Sequence, residues 1–380
     1  MPVPATVKCP TNVYELLALV DLLDATYITN ACAHKKTTNK KSFDGVAHER
    51  ITVAPVVIDL VLATKWSAAL KASAEAPEET FCDLDPLVRK VSLTGKHRGH
   101  GETWRDRLLH EARRMETLLK ATGECAELEG VVISDDCGGR LKVFYPSIGQ
   151  VDFFKSISGP SRHVVTGHRF LELDISGAHP AAAFAAVVAM CDGEVEHARL
   201  LTPKLALVVE DREAAIGILC SQYGAGELND ADCKVKLLRS LNQSTKDETH
   251  SMRKPFLKAL VEERRSMTNA LLEFSPIASY VDAIRDKAME SNKDTTLLSL
   301  LMQAVEQAII ERGIEALETT GWQFVVPISD AVLLSPTSDS LRTLEACEAA
   351  RVAMEAAARE VLGGVGVKVK VDHFPTGVTP

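Results

Sequence analysis

The chain has 380 residues, 46% of them hydrophobic and 25% charged, with a formal net charge of −9 and a pI near 5.7. That apolar content excludes a disordered chain and suffices for a sizeable core in two domains or one large elaborated one. The acidic balance argues against nucleic-acid binding by bulk charge but leaves room for a local basic groove, and no apolar run reaches membrane-spanning length.

Apolar periodicity over the first ~125 residues predicts mainly helices, the strongest being YELLALVDLLDATYI, APVVIDLVLATKWSAALKA and WRDRLLHEARRMETLLKATG. The two most basic stretches, residues 34–41 and 96–107, read as solvated loops or phosphate contacts, and His97 with His100 lacks the companions a zinc site needs. EGVVISDDCGGRLKVFY then places two β-rich runs around a D-D-C-G-G turn, a hairpin signal. FLELDI is the next strand, with Asp174 or Ser176 expected to cap the helix beginning near Pro180. Residues 203–320 are helical again. WQFVVPISDAVLLSP reads as two short strands meeting at Ser329 and Asp330, before an amphipathic helix and a last strand, VGVKVKVDHF. The order suits an α+β fold with an antiparallel sheet and helices on one face. Nine cysteines without a C-x-x-C pair, and an N-terminus without a secretory pattern, predict reduced thiols in an intracellular protein with no membrane attachment.

Two carboxylates stand out because each ends or interrupts an apolar strand, where an acidic side chain is costly unless a cation compensates it. Singly, Asp174 reads as a helix cap and Asp330 as a turn residue. If their strands are neighbours, the two converge where a pair of hard divalent cations, Mg²⁺ or Mn²⁺, can bridge them, an arrangement suited to phosphoryl transfer.

LELDISGAHP and PISDAVLLSP, followed by an amphipathic helix and a closing strand, resemble motifs A and C of the palm of family A DNA polymerases and the related single-subunit, phage-type RNA polymerases. The resemblance covers roughly residues 130–377 and lies in element order and spacing more than in identical residues. It implies a polymerase-like palm in two parts, residues 126–202 and 321–380, a helical fingers-like insertion over 203–320, and an N-terminal helical region, 1–125, serving as thumb or docking module. It further implies a nucleotidyltransferase with two bound metal ions at Asp174 and Asp330, a nucleoside triphosphate and a nucleic-acid template and primer as partners. The alternative is a polymerase-like protein that no longer catalyses and acts as a nucleic-acid-binding or assembly protein. The sequence departs from the family pattern at Ser329-Asp330-Ala331, where His-Asp-Glu is usual, and at His179, which stands where the DNA enzymes carry a ribose-excluding glutamate.

For the triphosphate site two helices compete. DREAAIGILCSQYGAG has Arg212 and Tyr223 at nearly family spacing but Ala215 in place of the lysine, and KVKLLRSLN sets Lys236 and Arg239 on adjacent turns. Gln303 and Glu306, one turn apart on an otherwise apolar helix, suit template or primer contact or an internal hydrogen bond; Arg140 and Lys155 suit primer phosphates or the wet face of the first hairpin.

Overall fold

The computed structural model describes residues 51, 53–77, 81, 83–94, 103–122, 126–134, 141–224, 229–242, 254–273, 293–328 and 330–375. The helix expected over 14–28, the two basic loops with His97 and His100 (apart from residues 103–107), the D-D-C-G-G turn, Arg140 and Ser329 lie outside these residues.

The segment expected to be helical from Ala54 divides. Val56–Val57 is a short strand, β1, and helix α1 starts only at Leu60, running to Glu75. The β-branched run disfavours a helix, while Asp59, in extended conformation, accepts the Leu62 N–H at 2.9 Å and so caps the helix. After α2 (Pro86–Thr94), α3 (Trp104–Thr122) buries Leu108, Ala112, Met115 and Leu118 along one face and packs against α1, which buries Ala63, Trp66, Leu70 and Ala74. β1 pairs antiparallel with β2 (Glu127–Leu128), so the N-terminal helices share a core with the rest of the chain.

β3 (Val131–Ser134), β4 (Leu141–Tyr145) and β5 (Gln150–Val151) form a second antiparallel sheet. The short helices α4 (Phe153–Ser156) and α5 (Gly159–Val165) then lead into β6 (Leu171–Ser176). In β6 the alternate residues Leu171, Leu173 and Ile175 are fully buried, leaving Glu172 and Asp174 on the opposite face. The expected side-chain cap by Asp174 or Ser176 is not made. Gly177, at φ +76°, turns the chain through the left-handed region that glycine enters without a Cβ penalty, and α6 (Ala178–Met190) begins directly after it with no side-chain cap. Asp174 is thereby left to face outward from the strand.

The helices α7 (Val195–Leu201), α8 (Pro203–Glu210), α9 (Arg212–Tyr223), α10 (Asp230–Asn242), α11 (Pro255–Glu273) and the long α12 (Lys293–Glu318) come next. The chain closes with the hairpin β7 (Trp322–Ile328) and β8 (Ala331–Pro336), helix α13 (Leu344–Val361) and β9 (Lys368–His373). The main sheet is antiparallel throughout in the order β7-β8-β6-β9. α12 packs on β7, on α6 and on α13, which itself lies on β9. α12 is also tied to the first hairpin, because Gln307 Oε1 accepts the Leu141 N–H at 2.6 Å. Among the described residues no helix is long and apolar enough to cross a membrane.

Candidate active site

The register of the main sheet brings the two aspartates together. Asp174 lies opposite Ala331 across the β6–β8 ladder, and the next N–H along, that of Ile175, donates to the Asp330 carbonyl at 2.9 Å. Both side chains are half-buried. Burial, with the like charges of Asp330 and Asp372, pushes the Asp174 carboxyl up to about 7, against the opposing pull of Lys234 and Lys370. Removal from water is the larger cause, and the two neighbouring carboxylates add to it.

Three cations frame it. Arg212, the first residue of α9, interacts electrostatically with both aspartates; burial holds its guanidinium below its usual range even so. Its Nη1 lies 4.0 Å from the position a Cβ would take on Gly177, which puts the guanidinium beside the uncapped start of α6. Its Nε is buried without a hydrogen-bond partner, an incomplete pairing of the kind that a bound anion relieves. Lys234 reaches Asp174 from α10, and Lys370 sits directly across from Asp174 on β9.

Lys234, rather than Lys236, is thus the cation that α10 sends toward the acidic pair. The buried stripe of α10 is Cys233, Leu237, Ser240 and Leu241; Lys234 and Lys236 flank it on opposite sides. Lys236 instead places Nζ 5.1 Å from the centre of the Tyr223 ring, which Lys254 also approaches, at 4.3 Å. Arg239 is exposed on the same helix. Of the residues expected to meet the triphosphate, Arg212 lies at the aspartates, whereas Tyr223 and Lys236 belong to this separate cation–ring cluster.

His179 and Glu306 form one unit. Glu306 is buried to 3% exposure on α12, and its Oε2 lies 2.7 Å from His179 Nε2 in the first turn of α6. Gln303 donates to Ser299 Oγ at 3.0 Å within α12, so Gln303 and Glu306 both have partners inside the protein. Lys155 is half-buried on α4.

A second charged group, missed in the sequence, lies two residues from Asp174 on the same face of β6. Glu172 accepts from Arg162 at 3.2 Å and meets His163 Nε2 at 2.6 Å. His163 stacks on His373, centroids 3.5 Å apart, and His168 approaches the same ring. Burial alone raises the Glu172 carboxyl, but His163 and Arg162 outweigh it and hold the group below the usual carboxylate range. VKVKVDH carries the signal for part of this site, since its period of two puts Lys370 on one face; nothing in it shows that β6 is the partner strand.

Asp174 and Asp330 offer hard, half-buried oxygen donors, and this donor set fits Mg²⁺ or Mn²⁺ completed by water and phosphate oxygens. Among the described residues no group of three or more His, Cys, Asp or Glu side chains forms an all-protein metal cage. The chain is a mixed α+β protein built from small antiparallel sheets and packed helices, with a paired-carboxylate site at the junction of β6 and β8. No family model matches it, and no curated protein matches it either.

Proposed function

We propose that the chain is a nucleic-acid polymerase, a nucleotidyltransferase that adds nucleotides to a primer 3′-hydroxyl, with residues 126–202 and 321–380 as its palm and 203–320 as its fingers. The observation that carries this reading is the placement of Asp174, on β6, beside Asp330, in the turn that enters the adjacent antiparallel strand β8, with Arg212 interacting electrostatically with both. Asp174 and Asp330 would hold the divalent ions, whose chemistry there would be to activate the attacking hydroxyl and steady the pyrophosphate leaving group. Arg212 and Lys234 bind and orient the triphosphate oxygens, and the uncapped N–H groups at the start of α6 add donors beside them. Phosphoryl transfer needs little covalent help from protein, so a constellation that positions and neutralises is sufficient. Because burial and the neighbouring carboxylates push the Asp174 carboxyl up to about 7, a cation bound there would displace its proton and would bind more strongly as pH rises.

The test is an extension assay on primed DNA and primed RNA, with ribo- and deoxyribonucleotides offered separately in Mg²⁺ or Mn²⁺. Wild type is expected to extend at least one primer, and Asp330→Asn to abolish extension while keeping the far-ultraviolet circular dichroism of the wild type. Undiminished extension by Asp330→Asn would sink the role given to that carboxylate. A second reading rests on Arg212 itself, whose charge already offsets part of the acidic pair: a polymerase-like protein that binds nucleic acid without catalysis. Primer–template binding without extension under every nucleotide and metal condition selects that reading.

A further inference from the structure

Two cysteines sit behind the cations of the site. Cys220 lies about two turns after Arg212 on α9, and Cys233 lies next to Lys234 on α10. Their sulfurs are 2.7 Å apart, well inside ordinary non-bonded contact and less than one ångström from bonding distance. Of the four free cysteines among the described residues, Cys191 and Cys347 are on other elements, the end of α6 and α13.

We propose that Cys220 and Cys233 form a reversible disulfide that locks α9 to α10, fixing Arg212 and Lys234 relative to each other beside the acidic pair. The effect on ligand binding rests on the polymerase reading; the disulfide chemistry does not.

The two thiols have unequal surroundings. Cys220 is half-exposed and its thiol also points to Asp230 Oδ1, 3.7 Å away, whereas Cys233 is fully buried. Burial, then the neighbouring Cys220, pushes the Cys233 thiol up to about 12. Cys220 is therefore the sulfur that a solute reaches first. Its thiolate attacks one sulfur of a small-molecule disulfide such as oxidised glutathione and expels a glutathione thiolate, which takes up a proton. Cys233 then gives up its proton, attacks the Cys220 sulfur of the mixed disulfide and displaces the second glutathione. Two protein thiols become one disulfide while one glutathione disulfide becomes two thiols.

The experiment equilibrates the full chain in glutathione buffers of increasing oxidised fraction, traps free thiols by alkylation and maps the peptides. A linked pair of peptides containing Cys220 and Cys233 is expected to grow with the oxidised fraction and to disappear on adding reduced glutathione. Cys233→Ser is expected to stop at a glutathione adduct on Cys220, and Cys220→Ser to leave Cys233 without an adduct. Both thiols remaining unlinked in the most oxidising buffer, or either linking to a different cysteine, overturns the proposal even if a variant fails to fold, because the wild-type map decides it. Binding of a magnesium complex of a non-hydrolysable nucleoside triphosphate is expected to tighten by about threefold or more in the linked form, through preorganisation. An unchanged dissociation constant in the linked form overturns the lock. A linked protein that binds no triphosphate in either redox state counts against the polymerase reading and leaves the disulfide standing.

Discussion

At the scale of single residues, the charge balance around Asp174 makes its own predictions. The folded chain holds this carboxyl near 7 against an ordinary value of 3.8, so the unfolded chain ionises first as pH rises. Stability from this group is complete below about pH 3.8 and is lost as pH climbs through about 7. Asp174→Asn is accordingly expected to match wild type below pH 4 and to exceed it above pH 7 in metal-free buffer. The gain is about 1 kcal/mol once solvent screening of the part-exposed carboxylate is allowed for. Urea titrations at several pH values measure it, and a variant equal to wild type at pH 8 would contradict the crowding of negative charge at the β6–β8 junction. Adding Mn²⁺ should raise the melting temperature of wild type and leave that of the variant unmoved. The two lysines of α10 separate just as sharply. Lys234→Ala is expected to raise the Michaelis constant for nucleotide by about tenfold, the loss of a charge-assisted contact. Lys236→Ala, which removes the contact with the Tyr223 ring, is expected to change it by less than about threefold. Equal effects would move the triphosphate away from Lys234.

At the scale of elements, the long helix α12 is the scaffold on which the hairpins rest, and its closest approach to α13 depends on Gly313. A Cβ there falls inside contact distance of the fully buried Met354. Gly313→Val is expected to lower stability by about 2 kcal/mol, from overpacking together with the poor helix propensity of a β-branched residue. An unchanged urea midpoint would show that Met354 repacks without cost. The same scale explains what the sequence could and could not disclose. The strand carrying Asp174, the strands flanking Asp330 and most helices are legible because their apolar residues repeat with a period of two or near 3.6. The early strand β1 is hidden, because VVI alone reads equally as the start of an apolar helix, and only the pairing with β2 distinguishes them. Lys234 is hidden because the rotational phase of KVKLLRSLN depends on which residues the neighbouring helices bury. Lys370 and Asp372 are hidden because they belong to a strand some two hundred residues further along the chain, brought to Asp174 by tertiary pairing.

At the scale of the whole molecule, the clustered histidines oppose the trend set by Asp174. Burial, then His163 and His168, depresses His373 to about 3 from an ordinary 6.5, with Lys90 adding to the depression and Glu172 opposing it. The stability it contributes is complete above pH 6.5 and is lost as pH falls toward 3. Wild type is therefore expected to lose melting temperature between pH 6.5 and pH 4 more steeply than His373→Gln, as calorimetry of the two across that range would record; parallel slopes would remove His373 from the acid response. These histidines and the arginine–glutamate pair anchor α5 and the end of β9 to β6, close beside the aspartates, so the acid-sensitive joint and the candidate catalytic joint share a strand.

The turn between β7 and β8 carries a last implication, for how this gene can vary. Ile328 pairs with Ala331, so the span between them is fixed, and side chains change faces with every residue added or removed. Lengthening or shortening it by one would rotate the acidic group at 330 away from its companion, while point changes in neighbouring loops would leave both in place. Related sequences that keep the paired carboxylates should therefore tolerate insertions almost anywhere on the surface before they tolerate one there.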